Sequence, residues 1–505
     1  MTRRLFLLAL VFALAPTALA PLRQTSTLLI KNGLLIDGTG SKGRILDVRI
    51  EGGRIVEIGR LAARGNEKVL DATDLVVAPG FIDAHSHTDN QMVQDPMLES
   101  QVRQGITTAI VGQDGGSELS ISKFFDRVRT SRPTINFATF CGHAVIREEV
   151  MGADYKRGAK DSEVEKMKVL VDESMREGAL GFSTGLEYDP GYYATTVELI
   201  ELAKVAAKHK GIYISHIRED GTAGIMQALS ELKIIAKEAK IPAQISHIKV
   251  AVAEKWHKSR EIVDWCRTAR KEGLDITADV YPYLYWQSNI AVLSNDRNWE
   301  NREIWVRGLA EVGGAQNVTI VRYTPDPTWE YKTLAELSKE TGKDAPELIQ
   351  EILRKTRFPG STESHSIICQ SMIEEDLATF MREPWVMFCS DGYHGGPHPR
   401  GAGSFPRVFG RYVRELSVLS LEEAIRKATS LPAKRFGLKD RGEIKKGMVA
   451  DIVVFDPKTI SDRATIRDPK AFSVGVEHVL VNGVLVLESG KMTGARPGVG
   501  LKRQG

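Results

Sequence analysis

Between Gly80 and Ser390 the chain alternates short apolar runs with segments of helical periodicity, a pattern that few folds accept. Eight runs qualify as strands: Gly80–His87, Thr107–Gly112, Ile135–Phe140, Ala179–Ser183, Ile212–His216, Ala243–His247, Asp275–Val280 and Trp385–Ser390. Segments between them, such as Val164–Glu177 and Val197–Lys208, repeat their apolar residues at helical spacing. Eight such alternations predict an α/β chain whose centre, residues 78–439, closes into a (β/α)8 TIM-type barrel. The longest gap, about 287–384, carries its own helical and strand patterns and is expected to form a lid-like insertion.

The two ends have a different texture. Thr27–Gly33 and Asp47–Val56 near one end, and Ala450–Phe455 and His478–Leu487 near the other, are β runs broken by Gly and Asn turns. Residues 21–77 and 440–505 are therefore expected to build one small β-sandwich domain from both termini.

Residues 1–20 read as a signal peptide. Arg3 and Arg4 precede an apolar run, Leu5–Leu14, and Ala18-Leu19-Ala20 is a small-x-small cleavage site. Cleavage after Ala20 would place the mature chain in the periplasm or outside the cell. The apolar run is short for a membrane span, and no later segment is longer and apolar enough. A net charge of +3 over 505 residues argues against a nucleic-acid or membrane-surface partner and leaves a small-molecule substrate. Cys141, Cys266, Cys369 and Cys389 are widely spaced, which is no disulfide framework; buried free thiols are expected.

The chemistry concentrates at strand ends. Pro79-Gly-Phe-Ile-Asp-Ala-His85-Ser-His87 places two imidazoles two residues apart, on one face of a strand. His216 and His247 each close a later apolar run. In an α/β barrel the C-terminal strand ends share one mouth, so four of the eleven histidines converge there. A lone strand-end His is usually a hydrogen-bonded core residue, but four together favour a metal, with Zn²⁺ suited to imidazole. Asp391, after the last strand, can take a proton from water and return it to a leaving amine. Alone, Ser390-Asp391-Gly392 would also serve as a turn.

These residues resemble the amidohydrolase superfamily, and finer motifs look like its D-aminoacylases. They include Gly181–Gly191, Gly142-His143 with Arg147, Asp279-Val-Tyr281-Pro-Tyr283, His398-Pro-Arg400, Phe405–Gly410, Gly475–Gly483 and Thr493–Gly498. The resemblance covers nearly the whole mature chain. It implies metal-dependent hydrolysis of the amide bond of an N-acyl-D-amino acid, with one or two Zn²⁺ ions. By motif position, His85 and His87 would hold one metal position, and His216 and His247 the other. Asp391 would be the general base and acid. Lys249 would bind the substrate carboxylate, with Tyr281 or Tyr283 and Arg400 as further candidates.

The sequence departs from the family pattern twice. The family commonly has a bridging Cys after the second strand; here the turn reads Gly112-Gln113-Asp114-Gly115. Asp114 either bridges two metals with hard oxygens or is a turn residue beside a mononuclear site. After Tyr283, the stretch Leu284-Tyr-Trp-Gln-Ser288 is bulky, so side-chain preference stays open, as does D against L selectivity. Two other functions fit the same residues: a dipeptidase or cyclic-amide hydrolase, and a metal-loaded binding protein without turnover.

Overall fold

The computed structural model of the chain describes residues 27–220, 224–357 and 361–503. The expected leader, residues 1–20, lies outside them.

Eight parallel strands form the barrel: β1 (Phe81–Asp83), β2 (Ile106–Val111), β3 (Asn136–Thr139, resuming at Cys141–Gly142), β4 (Gly181–Gly185), β5 (Ile212–His216), β6 (Ala243–Ile245), β7 (Ile276–Val280) and β8 (Val386–Phe388). Neighbours pair in sequence order from β1 to β3 and from the end of β3 to β8. The strands are continuous apolar runs because both faces are covered: Ile82, Ile110, Ala138, Ile214 and Met387 meet inside the ring. The outer faces pack on the helices through residues such as Phe137, Phe182, Leu199 and Leu229.

Backbone bonds close the ring between its first and last members. Ala84 N donates to Phe388 O at 3.4 Å, Asp391 N to His85 O at 2.8 Å, and His87 N to Gly392 O at 2.9 Å. The fully buried Asp83 carboxylate clamps the same seam, accepting Ser390 N at 2.7 Å and Ser390 Oγ at 2.5 Å. Burial pushes its pKa up to about 6, against the Ser390 bonds that hold it down.

Several predicted strands, β1 and β6 above all, extend past the observed ones at the mouth, whereas β4 runs on to Gly185. β1 stops two residues before His85, and β6 two residues before His247. The reason is local backbone. His247 (φ 34°), Asp391 (φ 48°) and Asp114 (φ 53°) all adopt left-handed conformations, which take the chain off the ladder. The helices lie where periodicity puts them: Asp161–Glu177 and Thr196–Lys208, the second with Thr195 Oγ1 accepting Glu198 N.

Two sheets pack beside the barrel. One has strands Arg54–Gly59, Asp47–Glu51, Leu28–Lys31 and Lys68–Asp71; the other joins Val76–Pro79 to Ile452–Phe455 and Val476–Val481, so both ends of the chain share it. Ile30, Val48, Ile50, Val77, Ile452 and Leu480 fill the space between the sheets. Val76–Pro79 runs into β1 across Gly80, where an added Cβ would lie 2.3 Å from Thr107 side-chain atoms. The sandwich thereby fixes the strand that carries His85 and His87.

Between β7 and α-helical segment Glu374–Arg382 lies a subdomain with its own core, including Trp305, Ile320, Leu348, Ile352 and Ile367. Its sheet runs Trp286–Ser288, His365–Cys369, Val318–Tyr323, all antiparallel. Helix Glu374–Arg382 itself packs on Ser259–Lys271, β7 and β8 and so belongs to the barrel ring. All four cysteines are buried and free.

Candidate active site

A cavity of about 330 Å³ opens at the C-terminal mouth of the barrel. His87, Asp114, His216, His247, Lys249, Asp391 and Arg400 line it, all expected from sequence. His85 lies beneath, fully buried.

Asp114 stands between the two histidine pairs. Its Oδ2 is 3.4 Å from His85 Nε2 and 3.3 Å from His87 Nε2, and its Oδ1 is 3.7 Å from His247 Nε2. The turn that aims it needs small residues. A Cβ on Gly185 would lie 2.3 Å from Asp114 O, and one on Gly112, at φ 74°, would lie 2.5 Å from Phe140 O. Gln113 Nε2 ties the turn down, donating to Ala84 O and Ile110 O.

Asp391 faces the first pair, with Oδ1 3.5 Å from His85 Nε2 and 3.3 Å from His87 Nε2. Its other oxygen, Oδ2, pairs with Arg400 Nη1 at 2.7 Å. His216 Nδ1 and His247 Nε2 lie 2.9 Å apart.

His85 Nδ1, 3.6 Å from Asp279 Oδ1, makes no hydrogen bond among the described residues. Two other imidazoles turn their second nitrogen toward a carboxylate: His216 Nε2 lies 2.9 Å from Glu187 Oε2, and His247 Nδ1 3.3 Å from Asp220 Oδ2. Carboxylates so placed fix the tautomer and orientation of metal-ligating imidazoles. Asp279 is fully buried and also accepts His247 N at 2.8 Å and Gln244 Nε2 at 2.6 Å.

The donors fit a metal. His85 Nε2 and Asp114 Oδ1 are buried without a hydrogen-bond partner among the described residues, a costly state unless a cation takes them up. One ligand atom each from His85, Asp114, His247 and Asp391 lies within 4.8 Å of the others; so does one each from His216, Asp220 and His247. Electrostatics agree. Burial alone would lower His87, but Asp114 and Asp391 outweigh it and raise its pKa to about 10. Burial and Lys249 would lower His247, yet Asp391, Asp114 and Asp220 raise it to about 10. Asp114 and Asp391 are held well below the ordinary carboxylate range although burial opposes this, the first chiefly by His85 and His247, the second by Arg400 and His247. Carboxylates in this number demand positive charge, which a divalent ion supplies in place of protons.

Lys249 pairs with Asp220 and lies 2.8 Å from His247 Nδ1. Tyr281 and Tyr283 are not brought to the cavity surface. The Tyr281 hydroxyl meets Met372 Sδ at 3.8 Å, with the Arg400 guanidinium 4.9 Å from its ring centre. The Tyr283 hydroxyl donates to Asp462 Oδ2 at 3.1 Å, under Arg407. Tyr281 supports Arg400; Tyr283 joins the barrel to the C-terminal segment.

Glu187 and Asp279 stood in motifs that carry the resemblance but had no role there, and Asp220 was not singled out at all. Asp279 had a readable sign: two residues before Tyr281 on a strand, it shares a face with it. Glu187 and Asp220 lie on loops past β4 and β5, where no periodicity points.

A parallel barrel with imidazoles and carboxylates gathered at the C-terminal ends of its strands defines a metal-dependent hydrolase barrel. The chain belongs to the amidohydrolase family, whose sequence profile matches residues 68–386 and 330–487. It is 34% identical over 505 residues to D-aminoacylase of Alcaligenes xylosoxydans xylosoxydans, covering 95% of this chain and 98% of that one. It is 35% identical over 506 residues to N-acyl-D-glutamate deacylase of the same organism, again covering 95% and 98%. Among solved structures, N-acyl-D-glutamate deacylase of Bordetella bronchiseptica, complexed with zinc and a phosphonate mimic of the tetrahedral intermediate, superposes with a TM-score of 0.83. The identity is 32%, over 94% of this chain and 99% of that one.

Proposed function

We propose that this chain hydrolyses the amide bond of N-acyl-D-amino acids, giving a carboxylate and a free D-amino acid. One observation carries the reading: Asp391 faces the imidazole cluster on the floor of a cavity whose walls also present Lys249 and Arg400. Full-length similarity to D-aminoacylase and N-acyl-D-glutamate deacylase supports the same chemistry.

His85, His87, His216 and His247 would hold one or two Zn²⁺ ions, with Asp114 shared between the two pairs. When bound, the metal lowers the pKa of water and polarises the acyl carbonyl. Asp391 accepts a proton from the attacking water and returns it to the amine nitrogen as the C–N bond breaks. Arg400 keeps Asp391 ionised until that proton arrives. Lys249 pairs with Asp220 and, having three N–H donors, keeps others for the substrate carboxylate. Glu187 and Asp220 orient His216 and His247 through their outer nitrogens, and Asp279 holds the His247 backbone N–H.

The test is release of free amino acid from N-acetyl-D- and N-acetyl-L-amino acids by the chain from Pro21 onward, with and without chelator. Chelator-sensitive release from the D series supports the reading. Bound metal with turnover only of a cyclic amide moves the function to a hydantoinase-type reaction. We further propose that residues 1–20 are a leader that sends this activity to the periplasm or exterior; N-terminal sequencing of the exported chain, expected to begin at Pro21, tests that.

A further inference from the structure

The inserted subdomain supplies one whole wall of the cavity: Trp286, Gln287, Ser288, Val292, Leu293, Glu311 and Val312. Most of that wall is apolar. Its single charged member is Glu311, the last residue of helix Arg302–Glu311. The helix is held at close range, since a Cβ on Gly308 would lie 1.9 Å from Leu293 O. Glu311 is half-buried and makes no ion pair among the described residues.

The charge at this point is uncompensated in a second, independent way. The C-terminal end of a helix carries partial negative charge and favours cations, yet the last turn here holds no basic residue. Burial pushes the Glu311 carboxyl up, Glu254 and Glu219 add to the shift, and Arg307, on the outer face of the helix, only partly opposes it. A carboxylate and a helix C-terminus thus meet on a cavity wall, and among the described residues no cation forms an ion pair with Glu311.

The cations of the cavity stand elsewhere and are engaged. Lys249 is paired with Asp220, and Arg400 with Asp391. With Lys249 given to the α-carboxylate of the substrate, a side chain ending in a second carboxylate would meet repulsion at Glu311. A long side chain with an apolar stem and a cationic head would lay its methylenes along Trp286, Val292, Leu293 and Val312 and bring its charge to Glu311.

We propose that Glu311 selects N-acyl-D-amino acids with long basic side chains, of the arginine and lysine type, through a charge pair with the side-chain head. The proposal rests on the deacylase reading and names its substrate class.

The experiment compares kcat/KM for N-acetyl-D-arginine, N-acetyl-D-norleucine and N-acetyl-D-glutamate, with the wild-type chain, Glu311→Gln and Glu311→Lys. In parallel, calorimetry measures binding of free D-arginine and D-norleucine to the metal-loaded protein. The wild type is expected to prefer the arginine substrate over the glutamate one by tenfold or more. The ratio of arginine to norleucine should fall at least tenfold in Glu311→Gln, with D-arginine binding weakened in step. Glu311→Lys should shift preference toward the glutamate substrate. Thermal unfolding checks that both variants fold. Turnover of norleucine with an arginine-to-norleucine ratio unmoved by Glu311→Gln overturns the inference and leaves the deacylase reading standing. Release from none of the three, with metal bound, overturns the deacylase reading, and the inference falls with it.

Discussion

Arg400 Nη1 lies 2.7 Å from Asp391 Oδ2, while Oδ1 of the same carboxylate lies 3.3 Å from His87 Nε2. One side chain is therefore shared between a permanent cation and the metal-ligating cluster. Both partners are buried, so the pair is little screened. Arg400 depresses the Asp391 pKa, and a base must be ionised to accept a proton. Activity is thus present above the Asp391 pKa and lost as pH falls through it. Removing Arg400 should raise that pKa. Arg400→Met is expected to move the acid limb of kcat/KM upward by about one pH unit or more. If the guanidinium also meets the substrate carboxylate, KM rises about tenfold. A pH–rate profile checks both; an unmoved acid limb would show that Arg400 does not govern Asp391.

Asp391→Asn keeps the shape of the side chain and removes its basicity. The expected loss in kcat is about 10³-fold, within the range for a positioned acid–base group, with metal content and thermal stability retained. Metal analysis beside single-turnover kinetics separates this from loss of the cluster.

Much of this arrangement could be read from the chain alone, because strand alternation carries position. His85 and His87, His216, His247 and Asp391 each close an apolar run, and the barrel brings such ends together whatever the loops do. The carboxylates behind them were less visible. Glu187 and Asp220 sit on connecting loops, where spacing along the chain says nothing of direction. Tyr281 and Tyr283 illustrate the reverse. Their motif pointed to the substrate, but the chain after β7 turns their hydroxyls to Met372 and Asp462, contacts set by segments 90 and more residues later. The cavity wall from the inserted subdomain was legible only as bulk at Leu284–Ser288; that Glu311 joins it depends on how helix Arg302–Glu311 packs.

Asp114 makes a sharper case about metal. It faces both histidine pairs, with one oxygen toward each. A shared carboxylate predicts that Asp114→Ala lowers bound metal by about one ion per chain, read by elemental analysis. Asp114→Cys would put a thiolate at the same point. The cobalt-loaded variant should then gain a sulfur-to-metal charge-transfer band in the near ultraviolet that the cobalt-loaded wild type lacks. Full metal content in Asp114→Ala would leave Asp114 a turn residue.

Glu187 tests the outer layer of the site. It lies 2.9 Å from His216 Nε2 and lines the cavity beside Tyr188. Glu187→Gln should weaken metal binding about 10- to 100-fold, as loss of such outer partners does, and excess Zn²⁺ should restore most of the activity. Chelator competition measures the first; an affinity unchanged by the substitution would assign Glu187 elsewhere.

The inserted subdomain carries its own pH dependence. His365 stands at the start of strand His365–Cys369, its Nε2 accepting Ile290 N at 3.0 Å and its Nδ1–H donating to Thr356 Oγ1 at 2.7 Å. The first of these bonds needs the neutral ring, since a protonated imidazole could not accept from Ile290 N. Burial lowers the pKa to about 4, and the nearby Arg357 adds to it. The unfolded segment takes up its proton near pH 6.5, the folded one only near 4. Stability of the subdomain is therefore fully present above about pH 6.5 and falls as pH drops from there toward 4. Because Ile290 leads directly into Val292 and Leu293 on the cavity wall, loosening at His365 reaches the substrate. Hydrogen exchange in Val318–Tyr323 and His365–Cys369, corrected for intrinsic rates, should quicken between pH 7 and 5 in the wild type. In His365→Gln, which can still accept from Ile290 N without titrating, that dependence should flatten; equal slopes in the two proteins would place the acid sensitivity outside this histidine.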